Sequence, residues 1–320
     1  MKLRAAALLI SLAAAPAGGD ILLGLPIDCI PGDTCFIQNY VDRDPGPGAA
    51  DFTCGALSYD GHKGTDFALA TEAEMMRGVA VLAAAPGTVR AIRDGMPDNG
   101  PRTAPPEGMD CGNGVVIDHG AGWQTQYCHL AEGSVAVQPG QRVAKGTVLG
   151  RVGLSGRTAF PHVHLSVRQD GNVIDPFQPG APVTCTTPSA PDETLWQNPP
   201  DYRASGLIGA GLTTEVPSFD AVKAGPAMPD ALPSGATALV AWVHLFGAQA
   251  GDRIEFTLTG PEGRFAEHAQ TIDRTQARIY RAFGKRHPPG GWPKGAYEAK
   301  IALIRAGQTI DTITVAVTVR

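Results

Sequence analysis

Short apolar stretches that alternate with polar residues, each closed by glycine or proline, set the rhythm of most of this chain. Residues two apart on an extended backbone share a face, so such alternation marks a half-buried strand. Val79–Leu82, Thr88–Ile92, Gly114–Asp118, Gln124–Cys128 and Val163–Val167 read as strands. Ala85-Pro86-Gly87, His119-Gly120-Ala121-Gly122 and Asp170-Gly171 read as turns, and Gln141–Val152 as two more strands about a glycine. Short strands this closely spaced between Gly61 and Phe177 predict an antiparallel β-sheet or partly closed barrel. After Gly235 the pattern resumes in Ala238–Phe246, Arg253–Leu258, Ala277–Phe283, Tyr297–Arg305 and Thr309–Val319. In the last of these, Ile313, Val315, Val317 and Val319 alternate with Thr314, Ala316 and Thr318. That density of strands predicts a smaller C-terminal immunoglobulin-like β-sandwich. The expected fold class is mostly β.

Composition adds organisation and setting. The 320 residues include 40 Gly and 27 Pro, which favours turns over long helices. Ten of the prolines fall between Gln178 and Pro233, so residues 181–234 read as a Pro-rich connection. Residues 60–180 and 235–320 are the two expected β domains, preceded by an N-terminal extension over 18–59. Lys2 and Arg4 precede an apolar run from Ala5 to Ala15 and the small-residue site Ala15-Pro16-Ala17. Residues 1–17 therefore read as a secretory signal peptide, since a membrane span needs about 20 apolar residues. No later stretch is long and apolar enough to be a transmembrane segment. The chain is expected to be exported, periplasmic or secreted. Its formal charge of −5, with no basic run longer than two, excludes nucleic acid as a partner held by phosphate neutralisation. Cys29, Cys35, Cys54, Cys111, Cys128 and Cys185 suit disulfides in an oxidising compartment, with Cys29–Cys35 closing a small turn. Cys128, beside His129, reads as a structural disulfide partner rather than a nucleophile.

The histidines carry the chemistry. His162 and His164 stand two apart in a predicted strand and project to one face. His62 precedes Asp66 by four, an even spacing that puts both on one face of an extended chain. Two imidazoles and a carboxylate are a common ligand set for a catalytic zinc that keeps its fourth position for water. A cupin-type site places Glu four residues after the second histidine, and here that position is Arg168. A lipoyl-type carrier hairpin is suggested by Pro139–Val143 but lacks the exposed turn lysine. No His-Glu-x-x-His helix offers a glutamate as general base, so further histidines would have to serve.

Taken in order, the motifs resemble the lysostaphin-type (LytM-like) zinc endopeptidases that cut peptidoglycan cross-links. The likeness runs through Gly61–Asp66, Gly78–Val81, Ala85–Val89, Gly112–Gly120, Tyr127–Leu130, Gly140–Gly150, Gly153–Gly156 and Pro161–Leu165, ending at Asp175-Pro176. The resemblance implies an antiparallel β-sheet metallopeptidase core with one catalytic Zn2+ held by His62, Asp66 and His164. It also implies that His129 and His162 are catalytic without binding the metal. The expected activity is a secreted zinc metalloendopeptidase acting on peptidoglycan peptides. Alternatives are a non-catalytic wall-binding or amidase-activating protein on the same fold, or a general periplasmic peptidase. Departures from the family pattern are Ala159-Phe160 before Pro161-His162, where small residues are usual, and Leu165 in place of a frequent aromatic. Thr71–Arg77 and the loop Asp94–Asn113 are expected to border the cleft. Tyr59 is read as packing near the site. The N-terminal segment is a candidate to lie across it, with Asn39 or an aspartate at the open metal position. The C-terminal domain is expected to bind or position the enzyme on its substrate.

Overall fold

The computed structural model describes residues 21–180, 194–226 and 228–320. The expected signal peptide, Cys185 and part of the Pro-rich connection lie outside the described residues. The first half contains β1 (Phe36–Asn39), β2 (Thr65–Ala68), β3 (Ala80–Leu82), β4 (Gly87–Arg93) and β5 (Asn113–Gly120). It continues with β6 (Trp123–Leu130), β7 (Arg142–Val143), β8 (Val148–Arg151), β9 (His162–Gln169) and β10 (Asn172–Ile174). A one-turn helix, α1 (Glu72–Met76), fills the insertion after β2, with the Thr71 hydroxyl accepting from the Glu74 amide at 3.2 Å as its N-cap. No helix among the described residues is long and apolar enough to cross a membrane.

The main sheet runs β1-β2-β9-β6-β5-β4-β7, with β10 on the far part of β9, and every pairing is antiparallel. Phe67, Val115, Ile117, Tyr127, Val163 and Leu165 turn inward and are essentially sealed from water. Each such side chain contributes roughly 1.5–3 kcal/mol on burial, so the alternating apolar face is what fixes register. The N-terminal extension is part of this core: β1 adds an edge strand to β2, and Tyr40 and Phe52 pack with Phe177 and Tyr202 at centroid distances of 5.0–5.5 Å. Disulfides join Cys29 to Cys35 and Cys111 to Cys128, and none of the described cysteines is free.

The loop before β5 is held by side chains that reach backbone groups. Asp94 accepts from the Gly133 and Val135 amides, and Asp98 from those of Glu132 and Leu154. The Asn113 amide bonds Met96 in both directions. A long connection thereby becomes a fixed wall.

The second half is built from β11 (Gly206–Thr213), α2 (Phe219–Ala224), β12 (Ala231–Leu232), β13 (Ala238–Ala248), β14 (Arg253–Gly260), β15 (Gly263–Thr271), β16 (Gln276–Arg286), β17 (Gly295–Arg305) and β18 (Gln308–Val319). Sheets β11-β13-β16 and β12-β18-β17-β14-β15 enclose one core, with Leu212, Val243 and Leu245 meeting Phe256, Ile301 and Leu303. The span expected as a connection is therefore not all linker, because β11 pairs along β13 for its whole length. Its prolines flank that strand and leave its pairing intact. The two halves touch through Phe36 stacked on Phe246 at 4.6 Å and through Gln38 Nε2, which donates to Ala277 O at 3.1 Å.

Candidate metal centre

Strand register assembles the site. Asn39 on β1 lies opposite Asp66 on β2, Asp66 opposite His164 on β9, and His164 opposite Cys128 on β6. Residues paired across an antiparallel sheet share a face, so four neighbouring strands contribute one row. His62 enters from the turn before β2. The result is a triangle of acceptor atoms: His62 Nε2 lies 3.1 Å from Asp66 Oδ1 and 3.1 Å from His164 Nδ1, and the last two are 2.8 Å apart. One small cation can touch all three at about 2.0–2.2 Å. His62, Asp66 and His164 are the group among the described residues with this spacing.

Hydrogen bonds outside the triangle decide which nitrogens face inward. His62 Nδ1 lies 2.7 Å from Tyr40 O, and a carbonyl only accepts, so Nδ1 carries the proton and Nε2 presents a lone pair. The Ser166 hydroxyl donates to Lys63 O, so it accepts from His164 Nε2–H at 3.2 Å, which leaves His164 Nδ1 bare. Asp66 Oδ2 accepts from Asn39 Nδ2 at 2.9 Å. Two lone pairs and a carboxylate oxygen converge with no donor among them, and that donor chemistry fits a metal ion.

His129 and His162 stand beside this triangle. His162 Nδ1–H donates to Phe160 O at 2.9 Å, which turns Nε2 to within 3.4 Å of Asp66 Oδ1. His129 Nδ1–H donates to Ser155 O at 2.8 Å, and its ring centroid is 4.6 Å from that of His162. Regular alternation after Cys128 would send His129 to the other face of the sheet. A φ of +65° breaks the alternation and brings it to the cleft. All five sequence-predicted site residues are thus brought together, although the backbone irregularity at His129 has no signature in its neighbours.

Burial opposes charge throughout. It holds His129 well below the usual histidine range, reinforced by His162 and His164, and it lowers His164 too. Burial also disfavours the Asp66 carboxylate, yet the His162 and His62 imidazoles hold it well below the carboxylate range. His62 goes the other way: Asp66 outweighs burial and raises it. Tyr59, 4.5 Å from His62 between ring centroids, is pushed up to about 12 by partial burial and by Asp66, so it stays a neutral phenol.

Further residues support the site. Ser166 shares the period-two face of His162 and His164 and was legible on that ground. Gly64 is needed because a Cβ there would sit 2.6 Å from His164 Nε2. Asn39 lines the cleft, and its amide nitrogen donates to Asp66 Oδ2. Asn39→Ala is expected to weaken metal binding by about tenfold to a hundredfold, as loss of an outer partner of a ligating group does. Competition with a chromophoric chelator measures it, and unchanged affinity would count against that role.

The cleft has a volume of about 480 Å³ and is walled by Tyr59, Gly100, Pro105, Arg157 and Phe160, with His129 and His162 at its floor. Peptidase family M23 matches residues 60–176, the stretch that carries all five side chains. Residues 60–176 are a Peptidase family M23 domain. The chain is 32% identical over 127 residues to the peptidoglycan DD-endopeptidase ShyA of Vibrio cholerae, covering 40% of this chain and 25% of that protein. It is 38% identical over 71 residues to the DD-carboxypeptidase/endopeptidase Mpg of Neisseria meningitidis, covering 22% and 16%. This chain therefore spans a quarter or less of the length of these relatives. Among solved structures, the catalytic domain of the prophage-encoded M23 protein EnpA from Enterococcus faecalis matches at 22% identity and a TM-score of 0.33, covering 51% of this chain and 98% of that one.

Proposed function

We propose that this chain is an exported zinc metalloendopeptidase that hydrolyses peptide cross-links or stems of peptidoglycan. The observation that carries this reading is the triangle of His62, Asp66 and His164 with the imidazoles of His129 and His162, each oriented through its Nδ1, beside it. Those three residues would hold one Zn2+, which when bound polarises a carbonyl and lowers the pKa of water. The Nε2 atoms of His129 and His162 are the groups able to take the proton of the attacking water. Once protonated, the same nitrogens become donors to developing negative charge or to the leaving amine. Ser155 O and Phe160 O hold both rings in the tautomer this requires. The M23 match and the endopeptidase names of its relatives support peptide hydrolysis and a cell-wall substrate. The disulfides support export.

Retention of all five side chains, each with its orienting partner, favours the enzyme over a non-catalytic wall-binding protein. Purified metal-replete chain should release muropeptide fragments from sacculi, with mass spectrometry showing cleavage at peptide bonds. It should leave casein largely intact. Digestion of casein with intact sacculi would redirect the reading to a general peptidase, and digestion of neither would sink it.

A further inference from the structure

Arg278 lies on β16 of the sandwich, yet it reaches into the other half of the molecule. Its guanidinium carbon is 4.6 Å from the ring centroid of Phe160 and 5.1 Å from that of Phe36. A nitrogen of the same group donates to Leu69 O at 3.0 Å, and Nε is sealed from solvent. Burial lowers its pKa to about 9, with Glu74 opposing. A guanidinium enclosed by two aromatic faces and a carbonyl is costly unless those contacts are well made.

Phe160 is the bulky residue that stands where the family pattern is usually small. It forms part of the cleft wall, and its ring lies 4.5 Å from His162 at an interplanar angle of 31°. Its carbonyl accepts both His162 Nδ1–H, at 2.9 Å, and the Thr158 hydroxyl, at 2.8 Å. Guanidinium, phenyl ring and imidazole thus follow one another from the C-terminal sandwich to the cleft floor.

We propose that Arg278 is a positioning residue for the cleft, clamping Phe160 from behind and so fixing the imidazole of His162. The second domain then contributes to the geometry of hydrolysis as well as to any attachment. That consequence rests on the hydrolytic reading of His162, whereas the clamp itself does not.

The test uses the full chain with Arg278→Met, Arg278→Lys, Phe160→Leu and the Met/Leu double variant. In Arg278→Met, hydrogen exchange of the peptide spanning 157–163 should accelerate while metal stoichiometry stays at the wild-type value. Its kcat on soluble muropeptide should fall about tenfold with KM little changed, since small misplacement of a catalytic group acts on turnover. Arg278→Lys, which keeps a cation over the ring, should recover most of the loss. The double variant should be no slower than Phe160→Leu alone. Unchanged exchange in Arg278→Met, multiplying effects in the double variant, or a lysine variant as impaired as methionine would overturn the proposal. If Arg278→Met does not fold, the exchange of Arg278→Lys and Phe160→Leu against wild type decides. If the wild type hydrolyses nothing, the function falls and the exchange result still decides the clamp.

Discussion

Asp66→Ala is expected to leave the chain without stoichiometric metal and to lower hydrolysis by about a thousandfold or more. Asp66 Oδ1 touches the His62 and His164 imidazoles and approaches His162, so it is the negative charge about which the cluster is arranged. Removing it leaves two inward lone pairs 3.1 Å apart with only each other to face. The oriented nitrogens then lose both their charge partner and the third corner of the proposed metal site. Elemental analysis after gel filtration checks the metal, and muropeptide release checks the rate. One equivalent of metal together with wild-type fragments would place the centre elsewhere. The same geometry sets a pH dependence for metal uptake. His62 is raised by Asp66, so its proton competes with the ion, and apparent affinity should drop as pH falls through the upper histidine range. Asp66 does not contribute to that drop, because it is held ionised well below the carboxylate range.

What was legible in the sequence follows from period two. His162, His164 and Ser166 share a face by counting, and the even spacing of His62 and Asp66 needed only that they lie on extended chain. The strands of the sandwich were legible for the same reason: β18 runs Gln308–Val319, against the predicted Thr309–Val319. Features that depend on distant pairing were not. Asn39 meets Asp66 because β1 adds to the edge of β2, a choice made by the whole sheet. Arg278 meets Phe160 across the two halves of the chain, and neither residue has a local pattern that calls for the other. β11 was hidden by the prolines around it, although Leu207–Leu212 carried enough apolar character to suggest docking. The loop Asp94–Asn113 holds a short 3-10 turn at Gly100–Arg102, and its order comes from aspartates that accept from distant amides. Such bonds leave no periodicity to read.

His129→Ala and His162→Ala should separate metal binding from chemistry. Each is expected to keep about one equivalent of metal and to lose about 10²–10⁴-fold in kcat, the usual scale for a positioned acid or base. Neither imidazole belongs to the triangle, and each is oriented by a backbone carbonyl outside it. The two losses should not multiply in the double variant if the rings act on one proton-transfer sequence. The pH profile gives an independent reading. Burial and the flanking imidazoles lower His129, so its free-base form persists as pH falls through the range where an exposed histidine would charge. A cation bound to the triangle pushes in the same direction. Protonation of His129 should therefore set no acid limb near the ordinary value of about 6.5. For metal-saturated enzyme, the acid limb in kcat/KM that His129 sets should lie below that pH. A limb at about 6.5 that disappears in His129→Ala would show that His129 is exposed to water and that its proposed role in a closed cleft is wrong.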